Sequence, residues 1–478
     1  MTVAPQTLAT RRLTDAEALM WALDEDPALR AAFMGVTYMK GQPDVDRFRR
    51  KMEEAVETVE VLRQRVAGSA FDLGSPHWEV DPGFDLDYHV RRVGLPSPGS
   101  HRQLLDLAAV IYADPFDRNR PLWKIVIVEG LEGGHSALLA KMHHVLSDGI
   151  GAIRISVSFL DLGPEPADTP SPRPARTADG GEPAEAEAAA SAVRWFDAAA
   201  GALAPILSGL DRTRKSAATM AGAVAGAVRS PADGVTAGLS AARSIGRQVG
   251  LTDQSRSPLW SGQQSNTHRF EELTLDLGET RATAKRLGGT VNDVFVTTMA
   301  AAAGAYHRHL GVDVAELRMS MPISVRHDHE IGGNAWVPSR LLVPTGDQHP
   351  IERFGEVALR LAAVKREPSL GMAASFAGVV RRLPPPVLIR LIHQQVHTVD
   401  FACSNVRGAP FDLWISGAHV LANHPLGPTA GVAFNATIMS YKDSLNLGLN
   451  VDAGAISDPG LLRTCIVEAF AELTAARP

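Results

Sequence analysis

Residues 135–160 read HSALLAKMHHVLSDGIGAIRISVSFL, and two periodicities meet inside them. Ala137 to Met142 is an apolar run broken only by Lys141, the pattern of a mostly buried strand. From Ile150 onward the period changes: Ile150, Ile153, Val157 and Leu160 recur three or four apart, the spacing of one helix face. Between the two stand His143, His144, Ser147, Asp148 and Gly149. Two histidines therefore close a strand, and an Asp-Gly opens a helix. Such a junction holds a polar loop on a rigid scaffold and keeps it within reach of solvent.

Upstream, Lys124 to Val128 predicts a partner strand, entered through Pro121-Leu122-Trp123 and left through Gly130, Gly133 and Gly134. Phe33 to Met39 is strand-like. Trp78 to Asp81 and Phe84 to Val90 alternate apolar and polar, which predicts half-buried strands. Thr14 followed by Glu17 predicts a helix start, Asp44 caps a second helix over roughly 45–60, and 102–112 is a third. Downstream, residues 161–190 are Pro, Ala, Glu, Asp and Gly, the composition of a solvated linker. The Ala/Gly-rich stretch 191–250 predicts a helical crossover, with contact to a lipid surface as the alternative.

A second ordered unit begins at Asn266. Strands are expected near 267–275, 317–325, 336–343, 401–407, 418–420, 431–439 and 444–451, the last two as a hairpin. Helices are expected over 277–287, 291–305, 351–365, 371–399 with a break at Pro384-Pro385-Pro386, and 459–474. The chain thus divides into 1–160, 161–265 and 266–478. The fold class is α/β, two mixed units in which helices pack on sheets.

Several function classes lose support. With 47 basic against 53 acidic residues there is no electrostatic footprint for nucleic acid. Cys403 and Cys465 are the two cysteines, too few for a disulfide framework or a cysteine metal cluster. No stretch reaches the roughly 18 apolar residues of a membrane-spanning helix, and no secretion signal is legible, so the expected compartment is the cytoplasm. No Gly-x-Gly-x-x-Gly follows a strand and there is no Walker loop. No Gly-x-Ser-x-Gly elbow favours a serine nucleophile. Adjacent residues on a strand point to opposite faces, so His143 and His144 are poorly placed to share a metal ion, and none is expected. His393 and His397, four apart on one helical face, lack a third ligand, and Cys403 is expected buried rather than nucleophilic. One chemistry fits a single positioned imidazole: removal of a hydroxyl proton as that oxygen attacks an acyl group, with a donor for the oxyanion.

His143-His144-Val145-Leu146-Ser147-Asp148-Gly149 resembles the His-His-x-x-x-Asp-Gly motif of the CoA-dependent acyltransferase superfamily, which includes chloramphenicol acetyltransferase and peptide-synthetase condensation domains. Around it, Pro121-Leu122-Trp123, Val128-Glu129-Gly130-Leu131, Val291-Asn292-Asp293-Val294, Met321 to Arg326, Ser404-Asn405-Val406-Arg407-Gly408 and Asn423 to Pro428 through Gly448-Leu449 occur in one order. That order resembles the bacterial wax ester synthase/diacylglycerol acyltransferase family over about residues 12–160 and 266–475.

The resemblance implies a two-domain, chloramphenicol acetyltransferase-like fold with an active-site tunnel between the domains. It implies acyl-CoA as co-substrate, no resident cofactor, and diacylglycerol or a long-chain fatty alcohol as acceptor. His144 would be the base, and His143 would support the loop or line the site. Asp148 would hold the loop through an ion pair, with Arg326 as candidate partner, and Gly149 would let the helix start close to the channel. Pro121, Leu122, Trp123, Asn292, Asp293, Ser404 and Asn405 would bind substrate or organise the site. Plainer roles compete: Trp123 as a core anchor, Asp293 as the cap partner of Thr290, Ser404 and Asn405 as turn caps. A peripheral place at the inner face of the plasma membrane or at lipid inclusions is also implied. The competing functional readings are an acyltransferase with another alcohol or an amine acceptor, and a catalytically silent lipid-binding relative.

Overall fold

The computed structural model describes residues 11–68, 76–146, 155–165, 257–324, 336–365 and 385–477. A short strand, β1 (Arg11–Arg12), leads into α1 (Asp15–Leu23). The start of α1 is fixed locally. Glu17 N donates to Thr14 Oγ1 at 3.2 Å, and Thr14 N donates to Glu17 Oε2 at 2.7 Å. Next come β2 (Ala32–Lys40), α2 (Val45–Thr58) with Asp44 as its cap, β3 (Gln64–Ala67) and β4 (His77–Val80).

The strand expected over Phe84 to Val90 is instead a single helical turn, α3 (Leu86–His89), before β5 (Val90–Gly94). Asp85 Oδ1 accepts the Asp87 N–H at 2.9 Å and starts the turn. Leu86 and His89, three residues apart, are then both buried. Over so short a window alternation fits either period, and the aspartate decides it.

After α4 (His101–Ala113), β6 (Trp123–Leu131) and β7 (His135–His143) form an antiparallel hairpin. The later part runs β8 (His268–Asp276), α5 (Leu277–Arg286), α6 (Val291–His309), β9 (Glu316–Ser324) and β10 (Trp336–Pro344). It continues through α7 (Pro350–Lys365), α8 (Pro385–Val396), β11 (Phe401–Val406), β12 (Trp414–Ile415) and β13 (Ala418–Leu426). The expected hairpin is β14 (Phe434–Tyr441) with β15 (Ser444–Asp452), followed by α9 (Pro459–Ala475). Most of the 161–265 segment falls outside the described residues.

Among the described residues, two six-stranded sheets have the orders β12-β13-β2-β7-β6-β5 and β10-β9-β11-β14-β15-β8, and β1-β4-β3 form a small third. Both large sheets are mixed: β5 runs parallel to β6, and β11 runs parallel to β9 and β14. The sheet that holds β7 takes β12 and β13 from residues 414–426, so cutting the chain at 265 does not separate the sheets. β13 covers the edge of β2 that β7 leaves open, and so satisfies its backbone groups.

The central strands β6 and β7 of the first sheet are buried on both faces. Trp123, Ile125, Ile127, Leu138 and Met142 meet Phe48 and Met52 of α2 on one side. Val126, Val128, Ala137 and Leu139 meet Leu104, Leu105 and Ala108 of α4 on the other. This explains why β6 and β7 are near-continuous apolar runs rather than alternating ones. In the second sheet, Phe401, Phe434, Leu447 and Leu449 pack in one core with Val296, Met299 and Ala303 of α6.

His89 is a buried polar member of the first unit. Its Nδ1–H donates to Trp123 O at 2.7 Å, and its ring stacks on the Trp123 indole at 4.5 Å. Burial pushes its imidazole down to about 4, against an ordinary 6.5. Between those values the unfolded chain binds the extra proton, so stability is lost as pH falls from 6.5 toward 4. One such group gives a slope of about 1.4 kcal/mol per pH unit. We expect His89→Gln, which keeps a donor toward Trp123, to flatten the pH dependence of denaturant-measured stability across this window. An unchanged slope would refute the assignment.

Candidate active site

The backbone N–H groups of the two histidines at the end of β7 are both paired. His143 N donates to Leu122 O at 3.1 Å, and His144 N donates to Ala31 O at 3.0 Å. Leu146 N donates to His143 O at 3.0 Å, which closes a turn over 143–146. Val145 N donates to a side chain, Nδ1 of His143, at 3.0 Å.

The His143 side chain is fully buried, and its Nε2 lies 2.9 Å from Asp24 Oδ1. Because Nδ1 accepts from Val145, the ring proton sits on Nε2 and is donated to the aspartate. Both ring nitrogens are therefore committed inside the protein. His144 leaves the strand into the turn. It is half-buried, and its ring packs on Phe33 with centroids 4.7 Å apart. Two neighbouring histidines thus have opposite environments, as alternation at a strand end requires.

Pro121-Leu122-Trp123 lies beside this turn. Pro121 and Leu122 are buried, and Leu122 packs with Leu13, Trp21, Trp78 and Val145. Trp123 is buried, and its indole N–H donates to Leu62 O at 2.9 Å. These contacts make it an anchor of the core beneath the strand.

A second group gathers where α6 begins and β11 ends. Thr290 N and Oγ1 both donate to Asp293 Oδ2, at 2.7 and 2.8 Å, and Asp293 N donates back to Thr290 Oγ1 at 3.2 Å. Asp293 is thus engaged in a capping box, which sets how the backbone enters α6. The next residue toward the N-terminus, Asn292, accepts from Asn405 Nδ2 at 3.3 Å and points its own amide nitrogen at Met321 Sδ, 3.7 Å away. Asn405 is exposed, and Ser404 pairs with Thr437 in the parallel register of β11 and β14. Two side-chain amides therefore meet at the N-terminal turn of a nineteen-residue helix, where the backbone carries partial positive charge.

Asp148, Gly149 and Arg326 lie outside the described residues. His393 Nε2 is 2.7 Å from Asp26 Oδ2, and its ring stacks on His397. Among the described residues no group of three or more His, Cys, Asp or Glu side chains is placed to hold a metal ion. Cys403 is fully buried, and that burial pushes its thiol well above its ordinary value, which leaves it a poor nucleophile. Among the same residues no helix is long and apolar enough to cross a membrane. Asp24 had no signal in the sequence beyond an acidic Asp24-Glu25-Asp26 run after α1, since its partner lies 119 residues away.

The family model described as the wax ester synthase/diacylglycerol acyltransferase catalytic domain matches residues 13–295, and that of the WS/DGAT C-terminal domain matches 333–474. A Mycobacterium tuberculosis H37Rv protein named as a putative diacylglycerol O-acyltransferase is 32% identical over 464 residues, 96% of this chain and 90% of that protein. Another from the same strain, named as a probable diacylglycerol O-acyltransferase, is 28% identical over 480 residues, 95% of this chain and 93% of that protein. The wax ester synthase/diacylglycerol acyltransferase from Marinobacter aquaeolei VT8 superposes with a TM-score of 0.64 at 20% identity, covering 97% of this chain and 98% of that one. The first condensation domain of the calcium-dependent antibiotic synthetase superposes at 0.58 and 15% identity, covering 98% of each chain. At those identities the structural likeness is one of fold.

Proposed function

The chain belongs to the wax ester synthase/diacylglycerol acyltransferase family and is an acyl-CoA-dependent O-acyltransferase, and from that premise we propose that His144 is its general base. The acceptor is diacylglycerol or a long-chain alcohol. Its hydroxyl proton passes to the His144 ring as its oxygen bonds to the thioester carbonyl carbon. The carbonyl electron pair moves onto oxygen, giving a tetrahedral oxyanion. Collapse breaks the C–S bond, and the proton returns from His144 to the leaving thiolate. The products are an ester and free CoA, with no acyl-enzyme between them.

The observation that carries this reading is the contrast at the strand end. Both nitrogens of His143 are committed to Asp24 and Val145 inside the protein, which makes His143 unsuited to take a substrate proton and supports the half-buried His144 in that role. In this reading the site lies between the 1–160 and 266–478 units, and Asn292 and Asn405 supply polar donors to the oxyanion. A long acyl chain needs an apolar channel, since each buried methylene contributes about 0.8 kcal/mol. The protein works on the cytoplasmic side and binds membrane or lipid-inclusion surfaces peripherally, because its acceptors and products reside there.

One assay tests the reaction and the surface together. Palmitoyl-CoA is offered with hexadecanol or dioleoylglycerol presented in phospholipid vesicles, and ester mass, CoA release and enzyme pelleting with vesicles are followed. Ester equal to CoA released, with pelleting that rises with acceptor content, is the expected result. CoA release without ester would overturn the O-acyltransfer reading. Turnover with the enzyme wholly in the supernatant would overturn the surface reading alone.

A further inference from the structure

We propose that Asp24 is a positioning residue for acyl transfer: it selects the tautomer of His143, and through it fixes the turn that presents His144. This rests on His144 being the base. Val145 is buried at 1% exposure, so its N–H needs an acceptor inside the protein. That acceptor is Nδ1 of His143 at 3.0 Å, and it works only with a lone pair on Nδ1. An imidazole free to choose, or one carrying two protons, would turn an N–H against the Val145 N–H and leave a buried donor unpaired, at a cost of about 1–3 kcal/mol.

Asp24 removes the choice. Its carboxylate accepts from Nε2–H at 2.9 Å, with the histidine side chain fully buried and the aspartate side chain 11% exposed. A carboxylate only accepts, so it holds the proton on Nε2 and the lone pair on Nδ1. The other turn contacts, His144 N to Ala31 O and Leu146 N to His143 O, are backbone pairs. Among the contacts described for the turn, the His143 side chain is one whose fit depends on which ring nitrogen carries the proton.

Asp24 is itself anchored. It caps α1, its N–H donating to Met20 O at 3.1 Å. Two residues on, Asp26 accepts from Ala28 N at 2.9 Å and contacts His393 of α8 at 2.7 Å. The loop after α1 is thus pinned to a helix of the later half of the chain, and the orientation of the base depends on both halves.

The test uses Asp24→Ala, Asp24→Asn and the native protein. Asparagine offers the same acceptor oxygen, so it should restore what alanine loses. In Asp24→Ala we expect kcat to fall about 10- to 100-fold, as misplacement of a catalytic group does, with KM for acyl-CoA within about twofold. Asp24→Asn should recover most of kcat. Nitrogen NMR of histidine-labelled native protein, with the His143 signals assigned by their loss in His143→Gln, should show a protonated Nε2 and a bare Nδ1. A protonated Nδ1 in the native protein would overturn the proposal whether or not the alanine variant folds. So would a folded Asp24→Ala protein with native kcat. If His144→Ala is fully active, the base assignment fails instead, which separates the two ideas.

Discussion

Replacing His144 with alanine lowers kcat for ester formation by about 10²- to 10⁴-fold, the range that a positioned general base contributes. The side chain is half-buried and packs in part on the Phe33 ring, so its truncation should cost less thermal stability than loss of the fully buried His143 ring. KM for both substrates should change little, because the proton moves only as the new bond forms. Some turnover above the uncatalysed reaction remains, since bringing acceptor and thioester together does not need the imidazole. His143→Gln should behave differently. It disturbs a fully buried ring bonded to Asp24 and Val145, so it should lower the unfolding temperature as well as kcat. Initial rates of CoA release and ester formation, run beside a thermal melt, read both effects. A His144→Ala protein that keeps more than about a tenth of native kcat would remove the base from the mechanism.

Gly448→Ala should destabilise the protein by about 3 kcal/mol or more, because the added carbon has no room and its neighbours cannot turn away. A Cβ built at Gly448 would lie 2.1 Å from Pro425 O and 2.9 Å from Pro425 C, both backbone atoms. Gly448 sits mid-strand in β15, paired with Thr437 on one side and Glu272 on the other, while Pro425 belongs to β13 of the other large sheet. Neither strand can shift without breaking its ladder. Two hydrogen bonds flank the contact, His424 Nδ1 to Leu447 O at 3.2 Å and Asn450 Nδ2 to Gly427 O at 2.9 Å. Here the two sheets meet backbone to backbone, and a methyl group would wedge them apart. Gly94→Ala is the control: its Cβ would meet nothing within 4 Å, so stability should move by less than about 0.5 kcal/mol. Denaturant midpoints for the three proteins decide the matter, and equal midpoints for native and Gly448→Ala would sink the claim.

The glycine could be noticed in the sequence but its reason could not. Gly448 was legible only as part of a tail that resembles a family, whereas the cause is a carbonyl 23 positions away on another sheet. The same divide runs through the active site. The two-histidine strand end was legible because β7 is buried on both faces, which forces an apolar run and makes its polar end conspicuous. The caps at Thr14–Glu17, Asp44 and Thr290–Asp293 were legible because each closes within three residues.

The misread segment, Phe84 to Val90, failed at the same scale. Its pattern suits strand and helix alike, and one aspartate cap settled it.

Residue order along this chain determined the mixed α/β class, most helix starts, the His-His strand end, and the family. Tertiary structure decided the rest: that β13 joins the sheet of β2, that Asn405 meets Asn292 from 113 residues away, and that Asp24 holds His143 across 119. The physical reason is range. Caps and periodicities are satisfied by neighbours in the chain, so their residues are written side by side. A buried donor accepts whichever partner the packed fold brings to it, and nothing nearby in the chain records which one that is.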